Sequence, residues 1–377
     1  MISAPTPAAL PNDMERLARK RAGRRLGWLS SLNAMHSLLR LLSALVWGGC
    51  ATFAIAGVGL TELPGSDDHG PITVFYPSND AAAAVQRGPF RLLLADNGTP
   101  APGNQRLIVV SHGSGANAMV QADIAQALVL AGYIVAVPEH AGDNWHDHSR
   151  VGPSSWKLRP FEVSHTIDAL EANPRFAPLF DSRRVGMFGM SAGGHTALTL
   201  AGGRWSPARL LTHCEAHLEA DFAACTGAGT ELKGNFWDSI KKAIALPLIR
   251  RNLGGDSTWY GHTDPRIRAV VAGVPFAADF DLESLAHPVI PLGIVQAEQD
   301  RWLVPRFHSM PVLAVCHGCE LIASLPTAGH GALLAPLPPE LDSPIGRLLA
   351  DPPGFNRAQL PDLYQRIARF FDKRLLP

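Results

Sequence analysis

The chain has 377 residues, 46% hydrophobic and 18% charged, with 33 basic and 33 acidic side chains and a formal net charge of zero. That supports one large domain with a sizeable core, and the balanced charge gives no electrostatic reason to expect nucleic acid or an anionic surface as a partner. Nucleotide chemistry is not indicated either: Gly113-Ser-Gly-Ala-Asn lacks the later glycine and acidic ribose partner of a dinucleotide site, and there is no phosphate-loop lysine.

At the N-terminal end, Arg16, Arg19, Lys20, Arg21, Arg24 and Arg25 form a basic segment, and an uncharged run follows over residues 41–60. Basic flank, apolar run and the small-x-small sequence Ala54-Ile-Ala56 read as an export signal. A run of this length also just reaches across a bilayer, so an uncleaved membrane anchor is the competing reading. Either way the remainder, residues 57–377, is expected to lie outside the cytoplasm, in the periplasm or held at its membrane.

Early strands are expected at 72–76 and 90–94, then at 107–111, where Arg106-Leu-Ile-Val-Val-Ser runs into His112-Gly113-Ser114-Gly115. A helix over 120–131 and a strand over 133–137 follow. His140, His146 and His148 with Asp143 and Asp147 fall in the next loop without the i, i+4 spacing of a zinc helix, which favours a substrate-facing loop over a metal site. A helix over 163–172 leads to the strand Arg184-Val-Gly-Met-Phe-Gly, the pentapeptide Gly189-Met-Ser-Ala-Gly193, and a small-residue helix over 192–201. Alternating strands and helices imply an α/β domain with a mostly parallel sheet and its site at the carboxyl ends of the strands.

Residues 204–264 break that alternation. With Phe222, Phe236, Trp237, Trp259 and a helix over 236–250, the segment reads as a lid or cap bordering an acyl pocket, or as a plain surface insertion. Strands over 268–274, 290–297 and 320–325 and an amphipathic helix over 363–375 complete the chain. Beyond Cys50 the cysteines number four, which suits an oxidising compartment. Cys214 and Cys225 are expected to be linked; Cys316-His-Gly-Cys319 does not open a helix, leaving a structural pair or two free thiols.

The pentapeptide carries the chemistry. A serine between glycines, on a turn from strand to helix, is held in a strained conformation with its hydroxyl exposed at the sheet edge. Ser191 is therefore a candidate nucleophile, and a hydroxyl needs a base oriented by a carboxylate. His330, in the loop Gly329-His330-Gly331 after a strand, is the candidate base, and Asp300, after the strand over 290–297, the candidate acid. Asp279 and Asp281 at the end of the preceding strand are the alternative acids, or caps of a short helix near Leu282. The oxyanion of an acyl-transfer intermediate needs two N–H donors. Ala192, after the nucleophile, supplies one, and Ser114, with Gly113 as the adjacent option, the other.

The segments Ser111-His-Gly-Ser-Gly-Ala, Leu130-Ala-Gly-Tyr-Ile-Val-Ala-Val-Pro-Glu-His-Ala-Gly-Asp-Asn144, Phe188-Gly-Met-Ser-Ala-Gly-Gly and Gln299-Asp-Arg-Trp-Leu-Val-Pro together resemble exported bacterial α/β-hydrolases known as predicted dienelactone hydrolases. These are similar to platelet-activating-factor acetylhydrolases. The resemblance runs from about Gly57 to the C-terminus and implies an α/β-hydrolase fold with Ser191, Asp300 and His330 as triad. Ser114 and Ala192 become oxyanion donors, with no cofactor. True dienelactone hydrolases use a cysteine nucleophile; serine at 191 makes a carboxylic ester, as a small-molecule substrate, the expectation. An amidase or acyltransferase on the same triad, or a non-catalytic binding protein of this fold, are the alternatives.

Overall fold

A computed structural model of the chain describes residues 57–66, 69–227, 231–339 and 343–376. The expected export signal or anchor lies outside the described residues except at its end. There Gly57–Leu60 pair as the start of the first strand. Among the described residues no helix is long and apolar enough to cross a membrane.

The strands are β1 (Gly57–Leu63), β2 (Ile72–Ser78), β3 (Ala83–Arg87), β4 (Phe90–Asp96), β5 (Leu107–Ser111), β6 (Ile134–Pro138), β7 (Val185–Met190), β8 (Arg204–Trp205), β9 (Ile267–Gly273), β10 (Phe280–Asp281), β11 (Leu292–Ala297) and β12 (Glu320–Leu325). Ten form one sheet in the order β12-β11-β9-β7-β5-β6-β2-β1-β4-β3, while β8 and β10 pair separately. From β12 to β6 every neighbouring pair is parallel; β2 then joins β6 antiparallel. This is a mixed α/β architecture around a large, mostly parallel sheet.

The parallel strands read as unbroken apolar runs because both of their faces are covered. Ile108, Val110, Val135 and Val137 point to the side packed by the helices Ala122–Leu130 and Leu360–Leu375. Their neighbours Leu107, Val109, Ile134 and Ala136 point to the side packed by Pro153–Ala172 and Ala192–Leu200, as a two-residue period requires.

Two strands and one helix start depart most from the sequence reading. β1 was hidden at the end of the apolar run, and β3 is a short edge strand with little apolar content. The helix expected over 163–172 begins at Pro153. Pro160 interrupts the helical pattern in sequence, yet burial of Trp156, Arg159 and Val163 on one side carries the helix through it.

Segment 204–264 forms the helices Pro207–His217, Phe222–Thr226 and Trp237–Leu253. A disulfide links Cys214 to Cys225 across the first two, with Cα atoms 5.6 Å apart, and a second joins Cys316 to Cys319. Leu210, Cys214, Phe222, Ala245, Ile249 and Leu253 bury into the same cluster as the sheet-side helices. Of the four aromatic residues singled out in this segment, Phe222 is buried, whereas Phe236, Trp237 and Trp259 are 75%, 62% and 49% exposed. Large apolar side chains in a sequence do not by themselves say which side of a helix meets the core.

Candidate active site

β7 ends in a turn that only small residues permit. A Cβ on Gly189 would overlap the Gly193 carbonyl, and one on Gly193 would overlap the Ser111 carbonyl at the end of β5. The turn leaves Ser191 at φ 59, ψ −114, a conformation costing a non-glycine residue on the order of 1–3 kcal/mol. It persists because both sides of the peptide are tied down. The Ser191 N–H donates to the Gly273 carbonyl at the end of β9 at 3.0 Å, and the Ser191 carbonyl accepts from His195 at 3.0 Å and Phe276 at 3.3 Å.

His330 meets that hydroxyl. Its Nε2 lies 2.9 Å from Ser191 Oγ and its Nδ1 2.7 Å from Asp300 Oδ2. A carboxylate only accepts, so Nδ1 carries the proton and Nε2 is left to take the serine proton. The second Asp300 oxygen accepts the Trp302 and Leu303 N–H groups, both at 2.8 Å, so the carboxylate is fixed before the histidine uses it. The two loops are bound together: Glu298 N–H donates to Leu325 O at 3.0 Å and Gln299 N–H to Ala328 O at 2.9 Å. The glycines beside His330 are required by packing, since a Cβ on Gly331 would overlap the Leu349 carbonyl and one on Gly329 would lie 2.9 Å from Pro352 Cδ.

The alternative acids lie elsewhere. Asp279 is fully buried with its Oδ2 3.1 Å from His195 Nε2, beneath the helix that follows Ser191. Asp281 caps nothing through its side chain and pairs with Arg204 at 2.7 Å. Asp300 alone of the three reaches His330.

The loop after β5 lies against the serine: a Cβ on Gly113 would stand 3.5 Å from Ser191 Cβ. The Gly113 carbonyl accepts from His112 Nδ1 at 2.7 Å and from Ala116 N–H at 3.3 Å. The Gly113–Ser114 bond is trans, so pinning that carbonyl aims the Ser114 N–H the opposite way. Ala192 opens its helix, where no intrahelical acceptor exists for its N–H. Both expected oxyanion donors are thus set on rigid backbone.

What sequence reasoning missed is the buried polar network behind this loop. His140 and Asp143, read as part of a substrate-facing loop, are wholly buried, while His146 and His148 are exposed. Arg159, also wholly buried, donates to Asp143 Oδ2 at 2.9 Å and to the His112 carbonyl at 2.6 Å. The other Asp143 oxygen accepts Ser114 Oγ–H at 2.6 Å and Gly115 N–H at 2.9 Å. His140 donates from Nδ1 to Glu162 and lies 2.7 Å from Ser111 Oγ through Nε2. Burial raises the Asp143 carboxyl, but Arg159 and the Ser114 and Gly115 donors outweigh it and hold its pKa well below the ordinary range. Burial, then the charge of Arg159, lowers His140; burial, then His140 and Arg159, lowers His112 further. The signal was present as a single buried arginine on a helix, but no local pattern announces its partners.

The Pro207–His217 and Phe222–Thr226 helices meet the triad side through Asp221. Its Oδ2 accepts from His213 Nε2 at 2.8 Å and from His308 Nε2 at 3.1 Å, and these bonds outweigh burial to hold it down to about 2. A cleft of about 750 Å³ runs between this segment and the triad loops, walled by Asp221, Phe222, Glu298, Asp300, Gly329 and Leu348. Among the described residues no group of three or more His, Cys, Asp or Glu side chains is placed to hold a metal ion. Neither family models nor curated proteins match this chain.

Proposed function

We propose that the protein is a serine hydrolase that cleaves carboxylic esters through an acyl-enzyme, on an α/β-hydrolase fold. The observation that carries this is the continuous relay Ser191 Oγ, His330, Asp300 at 2.9 and 2.7 Å, starting from a serine at positive φ. His330 takes the Ser191 proton as Oγ attacks the ester carbonyl, and the Ser114 and Ala192 N–H groups face the developing oxyanion. Asp300 stabilises the imidazolium, which returns its proton to the leaving alcohol. Water, deprotonated by His330, then releases the acid.

The resemblance to exported dienelactone hydrolase-like proteins supports the same reading, with the serine favouring a simple ester. Segment 204–264 walls the cleft beside Asp300 and Gly329, which favours a cap over an unrelated insertion. Two disulfides suit an exported protein. The test is labelling by a fluorophosphonate together with hydrolysis of p-nitrophenyl esters of graded acyl length, for the parent and Ser191→Ala. The parent should label at Ser191 and turn over short or medium esters. A parent that does neither removes the esterase reading.

A further inference from the structure

The helix Trp237–Leu253 is apolar on two opposite sides. One side is accounted for, because Ala245, Ile249 and Leu253 are buried in the core. At 3.6 residues per turn, Trp237, Ile240, Ile244 and Leu248 fall on the other side. They are 62%, 39%, 59% and 50% exposed. A surface helix turns its apolar side to the core and its polar side to water; this one carries a second apolar row, about 16 Å long and uncovered, away from the core.

Charge selects the occupant. Arg251 continues the same row one turn beyond Leu248, Lys241 lies on its flank, and Lys233 precedes it. Lys241 reaches Asp238 at 3.5 Å and donates to the Glu231 carbonyl, whereas Arg251 and Lys233 have no ion-pair partner among the described residues. The one acid of the helix, Asp238, is buried, its Oδ2 accepting the N–H groups of Lys233, Gly234 and Asn235. The exposed acids Glu219 and Glu215 pair with Lys242 and Arg250, away from this row; an aromatic end, an aliphatic row and flanking cations without an acid on that side are what a surface meeting a lipid interface presents. A second copy pairing through this face would set cations against cations and offer them no acid.

We propose that this face docks on an anionic phospholipid bilayer, with Trp237, Ile244 and Leu248 entering the headgroup boundary and Arg251, Lys241 and Lys233 meeting phosphates. The inference is independent of the ester chemistry. Its test is hydrogen exchange of the full-length protein alone, with phosphatidylcholine vesicles, and with vesicles that also contain phosphatidylglycerol. This readout is local, so any attraction by the basic N-terminal segment does not mimic it. Amides of 237–253 should slow by about tenfold on the anionic vesicles and much less on the neutral ones. Ile244→Glu with Leu248→Glu should remove that slowing while unfolding midpoint and soluble-ester hydrolysis stay at parent values. Unchanged exchange on both vesicles overturns the proposal, as does slowing that survives the double variant. Equal slowing on both vesicles overturns the choice of an anionic surface. Slowing that rises with protein concentration without vesicles assigns the face to a second copy instead.

Discussion

Arg159 and Asp143 meet at 2.9 Å with neither side chain exposed, and through this pair the helix Pro153–Ala172 holds the loop that carries Ser114. The arginine grips the carboxylate; the carboxylate grips Ser114 and Gly115. The pair sits in the scaffold, yet it fixes the loop on which the proposed oxyanion donor stands.

Breaking it should therefore damage both stability and turnover. Arg159→Met leaves a buried carboxylate without its cation, and loss of one partner of a buried pair costs about 3–5 kcal/mol. Denaturant unfolding measures that loss. The turnover number of folded protein should fall more than KM changes, since a misplaced donor acts on the transition state. A folded variant with parent turnover would show that the loop holds itself.

For the triad, Asp300→Asn should lower turnover by up to about 10⁴-fold, because asparagine favours the wrong tautomer of the histidine and cannot stabilise its charged form. Asp279→Asn should instead lower the unfolding midpoint and leave turnover within severalfold of the parent, since Asp279 serves His195. The reverse ranking would move the acid to the end of β9.

Ser191→Gly separates strain from chemistry. Glycine accepts φ 59 freely, so the variant should lose ester hydrolysis while gaining on the order of 1 kcal/mol of stability. Ser191→Ala loses the hydrolysis without that gain. Equal stabilities for the two variants would mean that the turn is unstrained.

Acid should destabilise the protein in two stages. His112 and His140 are buried with pKa values below the ordinary 6.5 or so, so below about pH 6.5 the unfolded chain binds protons that the folded chain refuses, and stability falls. Asp143 and Glu162 are held low, so their contribution is present above the ordinary carboxylate pKa of about 4 and is lost as pH drops below it. The unfolding midpoint should be level above about pH 7, fall as pH drops below about 6.5, and fall more steeply below about 4. A midpoint that rises from pH 7 to 5 would contradict neutral histidines.

Replacing Cys214 and Cys225 together by serine should cost about 2–3 kcal/mol, the usual scale for a short closed loop; their separation is 11 residues. Paired denaturant curves with and without reductant check it, and non-reducing peptide mapping checks that the bond forms.

The sequence by itself determined whatever depends on neighbours along the chain. Strands β5, β6, β7, β9, β11 and β12 announce themselves as short apolar runs, and the glycines of the Ser191 turn and the His330 loop mark close approaches that a side chain would block. Chain order then put Ser191 forward as nucleophile and His330 as base, with Asp300 or the Asp279/Asp281 pair as acid, before any distance was known. The tertiary structure alone decided which acid reaches His330, because Asp279, Asp281 and Asp300 all stand at strand ends and only the sheet order brings β11 and β12 together. It alone showed that Arg159, Asp143, His112 and His140 form one buried network, since these residues come from three separate segments and carry no shared spacing. It also decided which apolar residues of the helix Trp237–Leu253 face water, because a helix with two apolar rows has no preferred inward side until the core chooses one.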